Sequence, residues 1–326
     1  MFGQHPRLFV SFALAASVLA GCSGTGSLIA GGSPLQNLPA GTARQASQQA
    51  LSMRPIADAS HSFIYVADAY ANTVWIFPAL GMSPQPTGSI TQGLSTPEGI
   101  AIDKAGTLYV ANPSNGNVTE YRAGTTTPSF TLGGLAAPTW VAVDPKGNLW
   151  VSSSQGSGLG SVLEFSPGAT KPKQTLTGFG QPEGIAFDSR GNLFVADDAS
   201  TPARVDVFPP GATKPARTFG GHDLAQPHGL VIGPSGDVYV CDYQLLELFV
   251  FAHDTYKLVR KVADPQGDLG PVTIATNGRL YLGGDDINVV SELGDYGKDG
   301  LLKDQLSNNL NSAFGVAADP AVPAGP

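Results

Sequence analysis

The sequence predicts an all-β fold in which a four-stranded antiparallel unit recurs around a closed ring, and three observations predict it. Charged residues make up only 13% of the 326 while 42% are hydrophobic, so the composition fits neither a charge-rich disordered chain nor long amphipathic helices. Glycine (41) and proline (26) are abundant without a three-residue period, which marks frequent turns rather than a collagen-like helix. One apolar pattern also recurs along the chain.

That pattern is the first strand of each unit: Pro97-Glu-Gly-Ile-Ala-Ile-Asp103, Pro138-Thr-Trp-Val-Ala-Val-Asp144, Pro182-Glu-Gly-Ile-Ala-Phe-Asp188 and Pro227-His-Gly-Leu-Val-Ile-Gly233, starting 41, 44 and 45 residues apart. A glycine follows each time (Gly106, Gly147, Gly191, Gly236) and leads into a second strand: Leu108–Asn112, Leu149–Ser153, Leu193–Asp197 and Val238–Asp242. Third strands are expected at Val118–Tyr121, Val162–Phe165, Val205–Phe208 and Leu248–Phe251, and fourth strands at Ser129–Leu132, Gln174–Leu176 and Ala216–Phe219. The turns have local causes. In Asp144-Pro-Lys-Gly147 the aspartate opens the turn, proline presets φ near −65° and glycine supplies a positive φ. Ser166-Pro-Gly-Ala-Thr-Lys-Pro172 and Pro209-Pro-Gly-Ala-Thr-Lys-Pro215 are near-duplicate polar loops between third and fourth strands.

The first two strands of each unit are apolar at nearly consecutive positions, as in sheets covered on both faces. Four strands per 41 to 45 residues, covered on both faces, read as the blades of a β-propeller, since a parallel β-helix needs a much shorter period. Pro271–Gly283 with Val289–Leu293 is a weaker copy. Near the start, Ser62–Asp68, Thr73–Phe77 and Gly88–Thr91 supply second, third and fourth strands with no first. Ala313-Phe-Gly-Val-Ala-Ala-Asp319 repeats the first-strand pattern with nothing after it. The expectation is a six-bladed propeller closed by this C-terminal strand joining the N-terminal blade, which removes a free edge.

Before the repeats, a positively charged start and the apolar run Leu8–Ala20 lead to Leu19-Ala-Gly-Cys22. This reads as an export signal too short to span a membrane comfortably. Leu-Ala-Gly-Cys resembles the bacterial lipobox, which implies cleavage before Cys22 and diacylglyceryl attachment to its sulfur. With Ser23 in place of aspartate it also implies the outer membrane in a Gram-negative host. The expected organisation is a lipoprotein signal peptide at 1–21, a lipidated flexible tether at 22–60, the propeller at 61–320 and a disordered tail at 321–326. Cys241 remains as the sole other thiol and reads as a small buried hydrophobe. Net charge is −8 with no Lys/Arg run, so nucleic acid is not an expected partner.

Pro182–Asp197, Pro-Glu-Gly-Ile-Ala-Phe-Asp-Ser-Arg-Gly-Asn-Leu-Phe-Val-Ala-Asp, resembles the NHL repeat. The resemblance runs over Ser62–Asp319 and implies the propeller fold, which serves several unrelated functions. In a blade meander the loops entering first strands and those following second strands share one face. The expected ligand-binding rim is therefore Glu98, Asn112, Trp140, Glu183, Asp197, His228 and Asp242. Glu98, Glu183 and Asp242 are the candidate metal ligands for Ca2+ or Mg2+, and Glu183 and His228 the candidate catalytic pair. Against this stands a structural reading in which the strand-end aspartates bond backbone N–H groups. Zincin, zinc-ribbon, serine-hydrolase and P-loop motifs are missing. The expected function is that of a monomeric, membrane-tethered binding or scaffold module for a protein, peptide or glycan. The alternative is a metal-dependent enzyme similar to streptogramin lyases or gluconolactonases, although the Trp-Phe-Thr-Glu of the lyase repeats has its nearest counterpart here in Leu149-Trp-Val-Ser-Ser153.

Overall fold

A computed structural model describes residues 63–79, 85–154, 160–263, 269–275, 278–284, 290–293, 302–306 and 310–319. The expected signal peptide, Cys22, tether and tail lie outside the described residues.

Three strands open the ring: β1 (Phe63–Asp68), β2 (Thr73–Pro78) and β3 (Gly88–Ile90). Sheet B follows with β4 (Ile100–Ile102), β5 (Leu108–Asn112), β6 (Asn117–Tyr121) and β7 (Phe130–Gly133). Sheet C holds β8 (Pro138–Val143), β9 (Leu149–Ser153), β10 (Gly160–Phe165) and β11 (Gln174–Phe179). Sheet D holds β12 (Pro182–Phe187), β13 (Leu193–Asp197), β14 (Arg204–Phe208) and β15 (Arg217–Phe219). Sheet E holds β16 (Pro227–Ile232), β17 (Val238–Asp242), β18 (Glu247–Phe251) and β19 (Leu258–Ala263). Sheet F holds β20 (Val272–Ile274), β21 (Leu280–Gly283), β22 (Val290–Leu293) and β23 (Leu302–Leu306). Finally β24 (Gly315–Asp319) pairs antiparallel with β1, from Phe63↔Asp319 to Ala67↔Gly315, and completes sheet A. Every sheet is a four-stranded antiparallel meander, and the fold is an all-β propeller. The outer strands β19 and β23 had no expected counterpart in the sequence.

The core lies between sheets rather than within one. Tyr65, Ala67 and Val74 of sheet A pack with Ile100 and Val110 of sheet B, and Ala111 and Val118 of B pack with Val141 and Phe165 of C. Trp150 and Phe179 of C meet Ile185 and Phe208 of D. Phe194 and Val205 of D meet Leu230 and Phe249 of E. Cys241 and Leu248 of E meet Leu280 and Leu282 of F. Tyr281 and Val290 of F return to Ile64, Phe77 and Val316 of A. Both faces of each inner strand are therefore buried, which is why these strands read as continuous apolar runs.

Strand alternation sorts the connections onto two faces. The upper face carries the loops that lead into each first strand and those joining second to third strands. The lower face carries the first-to-second turns, the third-to-fourth loops and both ends of the ring, since Phe63 is paired with Pro78 and Asp319. The lower turns follow the expected chemistry. Asp144 Oδ1 accepts from the N–H groups of Lys146 (2.8 Å) and Asn148 (2.9 Å), and Gly147 has φ +86°. Asp103 and Asp188 hold their turns in the same way.

Candidate functional site

The six first strands touch one another in cyclic order and line a central channel. Its walls include Ile100, Val141, Ile185, Leu230, Val272 and Val316, and the polar side-chain groups among those lining it are the Thr273 hydroxyl and the Trp140 indole N–H. Among the described residues this wall holds no ionisable side chain, and the candidate site residues stand at its upper rim.

At that rim each first strand is entered by Pro-x-Gly or a variant. Gly99 shows why glycine is needed: a Cβ there would lie 2.7 Å from Thr139 O in the next sheet, and the Gly99 N–H donates to that same carbonyl at 2.9 Å. A Cβ on Gly184, Gly229 or Gly315 would likewise collide with the backbone of His228, Gly270 or Glu98 respectively. The position before this glycine lies at the rim end of the strand. It is occupied by Glu98, Glu183 and His228, and in sheet C by Thr139. Trp140, grouped with those three from the sequence, instead stands at the glycine position.

Six of the seven rim candidates fall into two sets, and the seventh, Glu98, is half-buried at the entry to β4. Trp140, Glu183 and His228 come together across sheets C, D and E. Glu183 Oε2 lies 3.8 Å from His228 Nε2, with both side chains largely buried. Its other oxygen accepts from Gln181 Nε2 at 2.6 Å. The imidazole meets Trp140 edge-on, with centroids 5.6 Å apart, and Tyr243 at 6.2 Å. The arrangement pairs a proton acceptor with an imidazole beside aromatic surface, which suits gripping a cationic or hydroxyl-bearing ligand and also proton transfer. Gln181 and Tyr243 were missed in the sequence because they flank the repeat pattern.

The second set is turned into the fold. Asn112, Asp197 and Asp242 are all fully buried. Asp242 accepts from the N–H groups of Ala225 and Gln226 through Oδ2, at 2.7 and 3.0 Å, and from Gln244 and Leu245 through Oδ1, at 3.1 and 2.9 Å. Asp197 accepts from Gly180 (3.0 Å), Gln181 (2.9 Å) and the Ser200 hydroxyl, and lies 3.4 Å from Arg204 Nη2. Asn112 accepts from Ser95 N–H at 3.0 Å and donates to Asn117 and Thr119, both at 3.1 Å. In sheet C, Ser153 fills the place and donates to Ala136 O. These side chains fasten the incoming loop to its own sheet. With the Asp242 oxygens so engaged, Glu98, Glu183 and Asp242 do not converge as the expected metal ligands. Among the described residues no group of three or more His, Cys, Asp or Glu side chains is placed to hold a metal ion.

The NHL repeat family model matches residues 224–245, the segment containing β16, its turn and β17. No curated protein matches the chain. Solved structures share its fold. A protein of unknown function from Bacteroides caccae is 14% identical with a TM-score of 0.63, over 79% of this chain and 99% of that one. A chain of the nidogen/laminin complex is 16% identical with a TM-score of 0.65, over 79% and 98%. A functionally unknown protein from Desulfotomaculum acetoxidans DSM 771 is 16% identical with a TM-score of 0.55, over 78% and 98%. The four-stranded antiparallel sheets and these likenesses make the chain a β-propeller, and residues 224–245 of it match the NHL repeat.

Proposed function

We propose that the chain is a six-bladed propeller, tethered through a lipid on Cys22, whose upper face binds a protein, peptide or glycan. Six four-stranded sheets with a buried cluster between each neighbouring pair support the blade count. One observation carries the binding reading: the upper face joins exposed apolar side chains to acidic ones. Tyr70 is 66% exposed, Leu245 41% and Leu246 40%, all in loops that follow second strands. Loops on a rigid scaffold are where binding residues gather, and apolar side chains exposed there give a partner surface to bury. Glu98 and Asp223 lie on the same face, both half-buried, so the favoured ligand carries positive charge beside apolar or aromatic groups. Among the solved likenesses, the nidogen/laminin complex is a propeller fold found in a protein assembly.

The test uses the full chain with Cys22→Ala, immobilised and panned against a displayed peptide library and a glycan array. Enrichment of basic peptides or of one glycan class that is lost in Tyr70→Ser/Leu245→Ser is the expected result. Enrichment that survives that double change, or none, overturns the reading.

A second reading, a lyase or lactone hydrolase, rests on the Glu183–His228 pair at 3.8 Å. Turnover of a lactone panel that Glu183→Gln and His228→Asn abolish, while the fold persists, would put it first.

A further inference from the structure

We propose that the lower face of the propeller is a docking surface for an anionic lipid bilayer, so that the ring rests on the membrane with its upper face outward. The orientation rests on the tethering proposed above, but the lower face is a binding surface in its own right.

The sequence shows no basic run, and its net charge is negative. The fold nevertheless sorts charge between faces. Lys104, Arg122, Lys146, Lys171, Lys214 and Lys257 are all exposed, and all sit in first-to-second turns or third-to-fourth loops, hence on the lower face. Among the described residues, none of the six is in ion-pair contact with a carboxylate. They are spread over sheets B, C, D and E, at least one per sheet. The repeat itself sets two of them: the loops 166–172 and 209–215 fold alike, with Ala169 N–H donating to Ser166 O at 2.9 Å and Ala212 N–H to Pro209 O at 3.0 Å. They carry Lys171 and Lys214 at equivalent positions.

The carboxylates of this face are mostly engaged internally. Asp103, Asp144 and Asp188 hold turn N–H groups, and Asp237 accepts from Ser235 and from the His253 N–H. Glu164 is paired with Lys173 at 2.6 Å and Asp254 with Arg190 at 3.0 Å. The upper loops, in contrast, hold no Lys or Arg among the described residues, and Arg204 at the start of β14 is turned into Asp197 and Asp206. With those six exposed cations gathered on the lower face and none in the described upper loops, the molecule carries a charge asymmetry that an anionic plane orients.

A membrane fits better than a nucleic acid. The cations stand on the tips of separate loops across four sheets, on long stems that reach outward. They do not form a groove that follows a phosphate chain between aromatic platforms. The chain also joins the ring at Phe63 on this face, so a lipid on the preceding segment and the lysines would act on the same surface. A single weak anchor and a basic patch together hold far better than either alone.

The experiment uses the full chain with Cys22→Ala, which removes the lipid, and co-sedimentation with vesicles of phosphatidylcholine alone or with one third phosphatidylglycerol. Near such a surface each Lys or Arg is worth about a five-fold change in partition. Binding to the anionic vesicles only, falling steeply with salt and falling at least about tenfold in Lys104→Glu/Lys146→Glu/Lys171→Glu/Lys214→Glu with an unchanged melting curve, is the expected result. Equal binding to both vesicles, none to either, no loss in the quadruple variant, or tighter binding to a single-stranded oligonucleotide than to the vesicles overturns the proposal. Should the quadruple variant fail to fold, the salt and lipid dependence of the parent decide. Fractionation of the chain with Cys22 intact reports separately on the anchor.

Discussion

The backbone N–H of Asn311 donates to Asp68 Oδ2 at 2.7 Å, although 243 positions separate the two residues. Asp68 also accepts from the Ala71 N–H at 2.8 Å. The contact is the same fastening seen where Asp197 holds Gly180 and Gln181, and where Asp242 holds Ala225 and Gln226. In sheet A, however, the loop being held comes from the other end of the chain. Ring closure thus reuses a local device of the repeat over a long sequence distance.

Removing such a fastening should cost much more than a surface change. Asp242→Ala leaves four loop N–H groups without their acceptor at a fully buried site. A loss of about 2–4 kcal/mol is expected, with Asp242→Asn in between. Urea unfolding measures both. A loss under about 0.5 kcal/mol would mean that the carboxylate is not holding the loop.

Truncation after Asn311 removes β24. Val316 and Ala318 leave the interface with sheet F and Ala317 leaves that with sheet B, while the edge of β1 is exposed. Destabilisation should reach several kcal/mol with increased binding of a hydrophobic dye. A truncated chain melting within a degree of the parent would rule out closure by this strand.

Glycine at the rim can be tested against glycine elsewhere. Gly184→Ala must displace the backbone of the neighbouring strand near His228 and Leu230, and should cost about 1–3 kcal/mol. Gly133→Ala meets nothing within 4 Å and needs no positive φ, so it should be neutral or slightly stabilising. Equal melting temperatures for the two variants would refute the close-approach argument.

Burial raises the pKa of Asp319 at the end of β24, and burial together with the nearby Asp103 raises that of Glu120. Each folded carboxyl then holds its proton more tightly than the unfolded one. Their contribution favours folding below the ordinary carboxylate pKa of about 4 and is lost as pH rises through the raised values. Asp319→Asn and Glu120→Gln should therefore raise stability at neutral pH and flatten its decline above pH 4. Denaturant melts between pH 3 and 7 measure this, and an unchanged slope in both variants would contradict it.

Much of the fold was legible because its signals are local and repeated. Pro182–Asp197 alone contains the glycine that lets one strand approach the next, the turn aspartate Asp188 and the strand-end Asp197. The incomplete pattern at Ala313–Asp319 gave the closure. The outer strands were harder: Leu258–Ala263 alternates between partly covered and exposed positions, with no turn or glycine marker of its own, and β23 follows a run unlike any other unit. Trp140 was grouped with Glu98 as a residue opening a first strand, whereas alignment of the strands puts Thr139 there. The roles of Asn112, Asp197 and Asp242 were undecided in the sequence, since a strand-end carboxylate can face a ligand or a loop equally well. The loop backbone resolves it.

The pairing of Phe63 with Asp319 makes the position of the opening in the ring a matter of history rather than of mechanics. A short linker joining the two, with a new break opened in the exposed loop around residues 134–136 between sheets B and C, would give a circular permutant in which every sheet is built from consecutive strands. The natural cut falls inside a sheet, where the two ends hold each other by hydrogen bonds. The permuted cut would fall between sheets and leave closure to apolar contact between neighbouring blades and to the Gly99 N–H bond to Thr139 O.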